Sequence, residues 1–372
     1  MLDFYIPEGL IEQRKQKVRD VWSYNKVDHI PIQMSVDYNP WNYTMQDELM
    51  DMEKQLQLRL LSVINSMKHL PDDYIPCMFI NVGCVGIASA LGAEIHYGDN
   101  PQQTPGVKKP ILDKVEDIYR LKRPDPYKDG LLLQEYMKRL KYFREKTQNK
   151  VAVSGLDMNG PMAVASDILG SETVYWMMME AREDLKYLLD FITEVIVGIT
   201  DAAIYIAGDI NSFTSTDFFY CWCPEGHKGH VSSDLCASYS PQLFRQFDIP
   251  VNNRIFEKYG GGLLHNCGPN PCAFDYLKHQ PENHGVDLAY TYSKGDLEKL
   301  KKAFKGTGVI YFYYEGKPED VIREYRETME ALAPDVAAFP VYSLSDPQYE
   351  PEMVYEDFYK ISREYARRIW GS

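Results

Sequence analysis

Residues Gly260–Gly268 of this 372-residue chain read GGGLLHNCG. A short apolar run of this kind, placed between helical patterns, is typical of a strand in a parallel sheet. Because residues i and i+2 of a strand point to the same side, we expect His265 and Cys267 to project together from the strand's end. An imidazole and a thiolate so placed are two ready ligands for zinc. The alternative is an ordinary buried histidine beside a buried free cysteine.

Seven more short apolar runs share this character, and helical patterns alternate with them. The eight runs lie near residues 29–35, 75–82, 150–157, 210–216, 262–267, 285–290, 308–314 and 335–342. The helical patterns lie near 46–69, 130–148, 172–207, 241–259, 271–280, 294–304, 317–332 and 351–369. Eight β-then-α units predict an α/β fold with a parallel sheet closed into a (β/α)8 TIM barrel. An open doubly wound sheet is the alternative, but no G-x-G-x-x-G motif follows the first strand.

The chain divides into a short extension and one barrel domain. We expect an N-terminal helical extension over residues 1–25 and the barrel over residues 26–372. The connections after strand two (about 83–129) and strand four (217–240) are long. Long connections in a compact domain are usually functional or disordered. Both follow the carboxyl ends of strands, where a barrel builds its site.

Composition excludes several classes of function. The net charge of −14, with no basic block, argues against nucleic acid as a partner. Seven cysteines show no disulfide pattern, and the first residues lack a signal-peptide core. The longest apolar region, about 191–208, is interrupted by Glu194 and Asp201, which indicates a buried helix and no membrane span. We therefore expect a soluble protein of the cytoplasm.

A catalytic zinc site needs three protein ligands and an open position, so His265 and Cys267 require a third ligand. Cys236 and Asp234 lie in the segment before the fourth helix of the barrel. Glu315 follows the seventh strand. These three residues are the candidates for the third ligand.

A second group of thiols and imidazoles falls within ten residues of the loop after strand four. It comprises Cys221, Cys223, His227 and His230. A common zinc finger needs more chain between its cysteine and histidine pairs. A separate metal site is therefore the less favoured interpretation. We expect a loop that covers the barrel, with an apolar wall made of Phe218, Phe219, Tyr220 and Trp222.

Polar residues also lie at the predicted ends of strands three and seven. Asp157 and Asn159 follow strand three and are candidates to orient a ligand in catalysis. The alternative for this pair is a turn and helix cap before Pro161. Tyr314, at the end of strand seven, is a candidate substrate contact.

Four segments, in the same order, resemble motifs of the uroporphyrinogen decarboxylase superfamily. Asn159–Gly170 resembles the "G-P-x-T-x-A…L-G" segment, and Ser233–Arg245 resembles the "S-D-x-x-A…S-P-x-x-F-x-x-F" segment. Leu263–Gly268 is similar to the "H-x-C-G" signature of the methyltransferase branch, and Gly316–Val321 to the "G-T-P-E-x-V" segment that opens the seventh helix. The resemblance runs over about residues 26–370 and implies a (β/α)8 barrel.

The loop after the first strand separates the branches of that superfamily. The decarboxylase carries an R-Q-A-G-R motif there, and arginines are the expected partners of its substrate's carboxylates. The matching stretch here, Ile32–Tyr43, contains no arginine, which argues against uroporphyrinogen as the substrate. It offers Asp37, Tyr38 and Trp41, which we expect to contact a different substrate together with Trp222.

The methyltransferase branch implies zinc and a corrinoid (cobalamin) carried by a partner protein. His265 and Cys267 match the first two zinc ligands of that branch. Its third ligand is a cysteine near the end of strand eight, whereas Val341–Asp346 contains none. Either another residue, such as Cys236 or Glu315, completes the site, or the metal is absent.

The leading hypothesis is a zinc-dependent methyltransferase that moves a methyl group from a small methylated compound to a corrinoid protein. A methoxylated aromatic is the favoured donor, because tyrosine and tryptophan cluster near the predicted strand ends, and O-demethylation is then the reaction. Asp157, Asn159 and Asp234 are the expected catalytic residues. The expected partners are the substrate and the corrinoid protein, without nucleic acid or membrane, and a homodimer is left open.

Two alternatives use the same barrel. One is a metal-free decarboxylase or lyase of a small acid, with His265 as general acid and Asp37, Asp157 or Asp234 in polar roles. The other is a non-catalytic binding protein, whose barrel mouth would be plugged by the aromatic loop 217–230. Barrels host many functions, so the fold alone does not rank these hypotheses.

Overall fold

The computed structural model describes residues 7–371. Its strands are β1 (Gln33–Val36), β2 (Cys77–Met78), β3 (Ile95–His96), β4 (Gly106–Val107), β5 (Ala152–Val153), β6 (Gly229–Ser232), β7 (Gly262–Asn266), β8 (Asn283–Ala289), β9 (Val309–Tyr314) and β10 (Ala337–Leu344). Its helices are α1 (Glu8–Trp22), α2 (Met45–Met50), α3 (Met52–His69), α4 (Gly86–Ala90), α5 (Leu131–Lys146), α6 (Pro161–Leu169), α7 (Ser171–Glu180), α8 (Arg182–Ala207), α9 (Pro241–Tyr259), α10 (Ala273–Tyr276), α11 (Tyr290–Ser293), α12 (Leu297–Phe304), α13 (Pro318–Leu332) and α14 (Pro351–Trp370). Short 3-10 turns lie at Val115–Arg120, Ile210–Ser212, Asp234–Ser238 and Lys294–Asp296.

Parallel strands surround the core. Six of them form one sheet in the order β1-β10-β9-β8-β7-β6, and β2 pairs with β5. Residues 213–216 connect the two sheets: Phe213 bridges to Val153, and the Thr216 N–H donates to the Lys228 carbonyl over 2.7 Å. Among residues 7–371, no backbone hydrogen bond joins β1 to β2. The barrel wall is therefore continuous except for one seam between these two strands.

The predicted barrel is confirmed, since each of the eight apolar runs forms part of its wall. Four of its described helices begin with a proline in the first turn, at Pro161, Pro241, Pro318 and Pro351, where the missing N–H costs nothing. The expected loop after strand four is more ordered than predicted, because it contains β6. The sequence of β6, Gly-His-Val-Ser, does not look like a buried strand. Its inward-pointing side chains, His230 and Ser232, are polar, so the run of apolar residues typical of such a strand is missing.

The segment between residues 217 and 228 runs back through the barrel interior. The Cys223 N–H donates to the Thr214 carbonyl over 3.1 Å, and Phe219 stacks on His230 with ring centroids 5.5 Å apart. The buried Lys228 ammonium donates to the carbonyls of Phe213 and Cys223 over 2.9 and 2.6 Å. The prediction that this segment covers the barrel is therefore wrong: it fills the interior.

Helix α1 closes the amino-terminal end of the barrel. Trp22 donates from its indole Nε1 to the hydroxyl of Tyr311 over 2.9 Å, and Tyr24 donates to the carbonyl of Gly308 over 2.7 Å. The helix lies within the predicted extension 1–25, of which residues 1–6 are outside the described part. The domain boundary at residue 25 stays a prediction.

Helix α8 contains most of the apolar region that we expected to be buried. Leu188, Ile192 and Ile199 lie on its buried face. Within residues 7–371, no helix combines the length and the apolar character needed to cross a membrane.

Candidate metal centre

Asp234, His265 and Cys267 converge at the carboxyl ends of β6 and β7. One ligand atom from each side chain lies within 4.8 Å of the other two. His265 Nε2 is 3.4 Å from Cys267 Sγ and 3.5 Å from Asp234 Oδ1. In the described part of the chain, this is the one group of three or more histidine, cysteine, aspartate or glutamate side chains gathered so closely.

Strand register delivers these three residues to the same place. Ser232 of β6 lies opposite His265 of β7, and Asp234 follows two residues after Ser232. The Asp234 carboxylate is held by the Cys267 N–H over 2.7 Å and by the Ser232 hydroxyl over 2.9 Å. His265 is buried, whereas Cys267 is solvent-accessible, so the group opens toward the barrel mouth.

Asp287 of β8 orients the histidine. It is fully buried and lies opposite His265 in the parallel register. Its Oδ2 is 2.6 Å from His265 Nδ1, and its Oδ1 is 2.8 Å from Nε2 of His230. A histidine that binds a metal almost always gives its other N–H to a carboxylate or carbonyl. Asp287 therefore leaves His265 Nε2 free to face Cys267 and Asp234.

Mutual attraction controls the ionisation of this buried group. Burial alone would raise the pKa of Asp287, but the imidazoles of His265 and His230 lower it to about 2. Burial alone would lower the histidine pKa values, yet Asp287 raises the pKa of His265 well above its ordinary value, and Asp287 with Asp217 raises that of His230 to about 9. Asp287 is thus a fixed negative charge behind the candidate ligand.

Phe218 shields the two imidazoles. Its ring meets His230 and His265 edge-on, with centroid distances of 5.3 and 4.9 Å. Asp217 fixes this position, because its Oδ1 accepts the N–H groups of Phe218 and Met158 over 2.8 and 3.0 Å. The aromatic ring replaces water on this side of the histidines.

The residues present fit a catalytic zinc ion. They offer one imidazole nitrogen, one thiolate sulfur and one carboxylate oxygen, all of which are ordinary zinc ligands. Three protein ligands leave the fourth position open for a substrate. The hydrogen bond from His265 to Asp287 adds the expected support of the histidine ligand. Among the three candidate third ligands, Asp234 is the one that lies beside the pair.

Cys236 and Glu315 lie elsewhere. Cys236 is buried with its Sγ 3.4 Å from the Tyr276 hydroxyl, and burial raises the pKa of its thiol well above the ordinary value. Glu315 lies in the loop after β9 beside Asp346. Neither Cys236 nor Glu315 belongs to the group formed by Asp234, His265 and Cys267, and their roles as metal ligands stay predictions.

Of the two other predicted catalytic residues, Asp157 is the one whose pKa responds to His265. Asp157 is half-buried, and desolvation together with Asp217 raises the pKa of its carboxyl to about 7, while His265 lowers it. Asn159 takes a left-handed backbone conformation with φ of 57°, and its amide donates to Asp167 over 3.4 Å. The catalytic roles of Asp157 and Asn159 stay predictions.

Three of the predicted substrate contacts lie across the barrel from this group. Asp37, Tyr38 and Trp41 follow β1, which β10, β9 and β8 separate from β7. Tyr38 donates to the carbonyl of Tyr349 over 3.3 Å. Trp41 is 47% exposed. Their substrate contacts stay predictions.

Trp222 and Tyr314 face other parts of the molecule. Trp222 is buried at the amino-terminal end of the barrel, where the cationic groups of Lys15 and Arg19 of α1 lie 5.0 and 5.1 Å from its ring. The Tyr314 hydroxyl lies 2.7 Å from that of Thr328 in α13, so this side chain points outward from the wall. Neither ring is directed at the candidate metal centre.

The second cysteine–histidine group does not form a metal site among the described residues. Cys221 and Cys223 are buried in the interior segment. The His227 ring lies 4.1 Å from that of His284 instead, near Trp22. His230 is paired with Asp287 through the 2.8 Å contact described above.

One feature of the sequence points to a structural role for Asp287. It is the one charged residue in the apolar run Gly285–Tyr290. A buried charge has to be paired, so a lone aspartate in a buried strand indicates a partner across the sheet.

Comparisons with known proteins agree with the fold. Residues 63–215 match the family model described as Uroporphyrinogen decarboxylase (URO-D), which confirms the resemblance to that superfamily over this part of the chain. A solved structure described as "methyltransferase from Methanosarcina mazei" has a TM-score of 0.66 and 18% sequence identity, with 95% of this chain and 98% of that chain covered. This likeness shows the barrel fold. No curated protein matches the chain.

Proposed function

We propose that this protein is a methyltransferase that moves a methyl group from a small methylated compound to a corrinoid protein. We place zinc on Asp234, His265 and Cys267. The observation that carries the proposal is the convergence of these three side chains behind an open barrel mouth, with His265 oriented by Asp287. The similar fold of a protein named as a methyltransferase supports it.

The chain's own residues would do three kinds of work. Asp287 fixes the ring orientation of His265, and Ser232 with the Cys267 N–H fixes the carboxylate of Asp234. Phe218 keeps water from the histidines. Zinc bound here would act as a Lewis acid on the methyl donor, and a corrinoid on the partner protein would accept the methyl group.

The donor set supports an oxygen-linked methyl group as substrate. An aspartate takes the place that a second cysteine has in the thiol-alkylating relatives implied by the resemblance. A carboxylate is a harder ligand than a thiolate and gives less electron density to zinc. The centre is therefore better suited to polarising an ether oxygen than to activating a thiol, which favours O-demethylation of a methoxylated aromatic.

The first test is the metal content of protein purified without chelator. We expect about one zinc per chain in wild type and none in the double variant His265→Ala/Cys267→Ala. Alkylation of Cys267 with iodoacetamide should be slowed by zinc, which gives a second readout that does not depend on activity. No metal in wild type, even after zinc reconstitution, would remove the central support of the proposal.

The second test is activity. Zinc-loaded wild type is mixed with a reduced corrinoid protein and a panel of methoxylated aromatics and methylamines. We expect formation of methylated corrinoid with a methoxylated donor and loss of this signal in Asp234→Ala. Failure with every donor, in protein that holds zinc, would contradict methyl transfer but not the metal centre.

A metal-free lyase or decarboxylase of a small acid is the second candidate. The observation that favours it is Asp157, a half-buried residue whose carboxyl has its pKa raised to about 7 by desolvation and by Asp217, within the influence of His265. Such a group is suited to general acid catalysis. Metal-free wild type that decarboxylates a small acid, with His265→Ala folded but inactive, would establish it.

We also propose a cytoplasmic location. All seven cysteines are free thiols, as is usual in a reducing compartment.

A further inference from the structure

A cavity of about 220 Å³ lies at the seam between β1 and β2. Gln33, Ser35 and Asp37, which alternate along β1 and its end, line it. Tyr74, Phe79, Cys77 and Tyr220 form most of its opposite wall. The interior segment leaves this cavity open and supplies Tyr220 to its wall. None of the candidate zinc ligands lines the cavity.

Asp37 carries the charge of this cavity. Its carboxylate accepts hydrogen bonds from three serine hydroxyls, those of Ser35 (2.6 Å), Ser62 and Ser343. Within residues 7–371, no lysine, arginine or histidine nitrogen forms an ion pair with it. The three partners are neutral hydroxyls, so none of them brings a compensating positive charge to the carboxylate.

Arg59, which also lines the cavity, already has its own partners. Arg59 pairs with Glu48 over 2.6 Å and donates from Nε to the carbonyl of Phe79 over 3.1 Å. The pair contributes no net charge, so the carboxylate of Asp37 leaves the cavity with a charge of minus one.

Gln33 adds an unsatisfied hydrogen-bonding group. Its amide Nε2 is buried and has no partner in the structure. A buried amide donor without a partner is destabilising, and a ligand that accepts its hydrogen bond would remove that cost. The cavity thus presents one anion and aromatic side chains, and Gln33 adds a buried donor without a partner in its wall.

We propose that this cavity binds a small organic ammonium ion that also carries a hydrogen-bond acceptor. The ammonium group lies against Asp37 and the aromatic side chains, which attract cations through their π faces. The acceptor, a hydroxyl or carbonyl oxygen, takes the amide hydrogen of Gln33. Choline is small enough to enter a cavity of this volume and has this pair of groups. The inference rests on the cavity alone and is independent of the proposed methyl transfer.

Calorimetric titration of the wild-type protein is the first experiment. The probes are choline and its neutral isostere 3,3-dimethylbutan-1-ol, which has the same shape and hydroxyl without the charge. We expect choline to bind at least about tenfold more tightly than the isostere. Equal binding of both, or binding of neither, would overturn the proposal, and this comparison needs no variant.

Variants locate the binding site. Asp37→Asn should weaken choline binding about tenfold or more, and Gln33→Met should weaken it by a smaller factor. Asp346→Asn removes a carboxylate in the loop after β10, outside this cavity, and should leave the affinity unchanged. An equal loss in Asp37→Asn and Asp346→Asn would show a general charge effect and contradict the site.

A further experiment distinguishes choline binding in the cavity from choline binding at the candidate metal centre. Choline binding should be the same in wild type with zinc, in wild type stripped of zinc and in His265→Ala/Cys267→Ala. A loss of binding in the double variant would place the cation at the metal centre and overturn the assignment to the seam. Failure of zinc binding alone would leave the cavity proposal standing.

Discussion

The Nδ1 of His265 lies 2.6 Å from Oδ2 of Asp287, and the other oxygen of this carboxylate lies 2.8 Å from His230. One buried aspartate therefore fixes two imidazoles, of which one belongs to the candidate zinc ligands. The position of this carboxylate in β8, opposite His265 in β7, makes the arrangement a property of strand register.

Replacing Asp287 should weaken metal binding without removing a ligand. In Asp287→Asn the neutral amide no longer stabilises the N–H of His265 as a carboxylate does. We expect the zinc affinity to fall roughly 10- to 100-fold, measured by competition with a chromophoric chelator. Asp275→Asn, which removes a carboxylate paired with Arg245, is the control and should bind zinc as wild type does. Unchanged affinity in Asp287→Asn would contradict the orienting role.

The identity of the third ligand is decided by three single variants. Asp234→Ala should lower the zinc affinity by about 100-fold or more, because it removes an oxygen donor from the group. Cys236→Ala and Glu315→Gln should bind zinc normally, since neither side chain lies beside His265. The measurement is the same chelator competition. Loss of zinc in Cys236→Ala with retention in Asp234→Ala would show that a thiolate completes the site.

Lys228 should be important for stability. Its ammonium donates to the buried carbonyls of Phe213 and Cys223, and Lys228→Met would leave both without a donor. We expect the free energy of unfolding in urea to fall by about 3 kcal/mol. Lys302→Met, on the exposed face of α12, should change it by less than about 0.5 kcal/mol. Equal stability of the two variants would show that the interior segment does not depend on this side chain.

Asp248 of α9 should make stability depend on pH. Burial raises its pKa to about 7, its Oδ1 has no hydrogen-bond partner, and the Tyr239 hydroxyl donates to its other oxygen. The folded protein therefore favours the neutral carboxyl. Its contribution is fully present below the unfolded pKa of about 4 and is lost as the pH rises through about 7.

Asp248→Asn isolates this contribution. Between about pH 4 and 7, the stability of wild type relative to the variant should decrease by up to about 1.4 kcal/mol per pH unit. Urea unfolding of both proteins across this range gives the difference and cancels the other titrating groups. A difference that is constant with pH would show that Asp248 ionises in the folded protein as it does in the unfolded one.

The barrel could be predicted because its signals are local. Apolar runs in β7 through β10 and helices that begin at proline or after a capping serine are visible in short windows of sequence. β6 was not predicted, because the side chains that it turns into the barrel are polar. The path of residues 217–228 through the interior depends on contacts with strands distant in sequence, which no local pattern contains.

Only those parts of the candidate site whose residues are close in sequence could be predicted. His265 and Cys267 lie two residues apart on one strand, so their proximity follows from strand geometry. Asp234 could be named but not chosen over Cys236, because both occur within the same short segment and the turn between them decides which one faces β7. The role of Asp287 could not be predicted, because it depends on the register that places Asp287 of β8 opposite His265 of β7.

The seam between β1 and β2 interrupts the hydrogen-bonded wall of the barrel at one place. Elsewhere in the wall, widening the barrel would break backbone hydrogen bonds, each worth about 1 kcal/mol net. At the seam, no backbone hydrogen bond between the described parts of the two strands resists their separation. The wall beside Gln33 and Asp37 is therefore held by fewer backbone hydrogen bonds than the paired strands that hold His265 and Asp287.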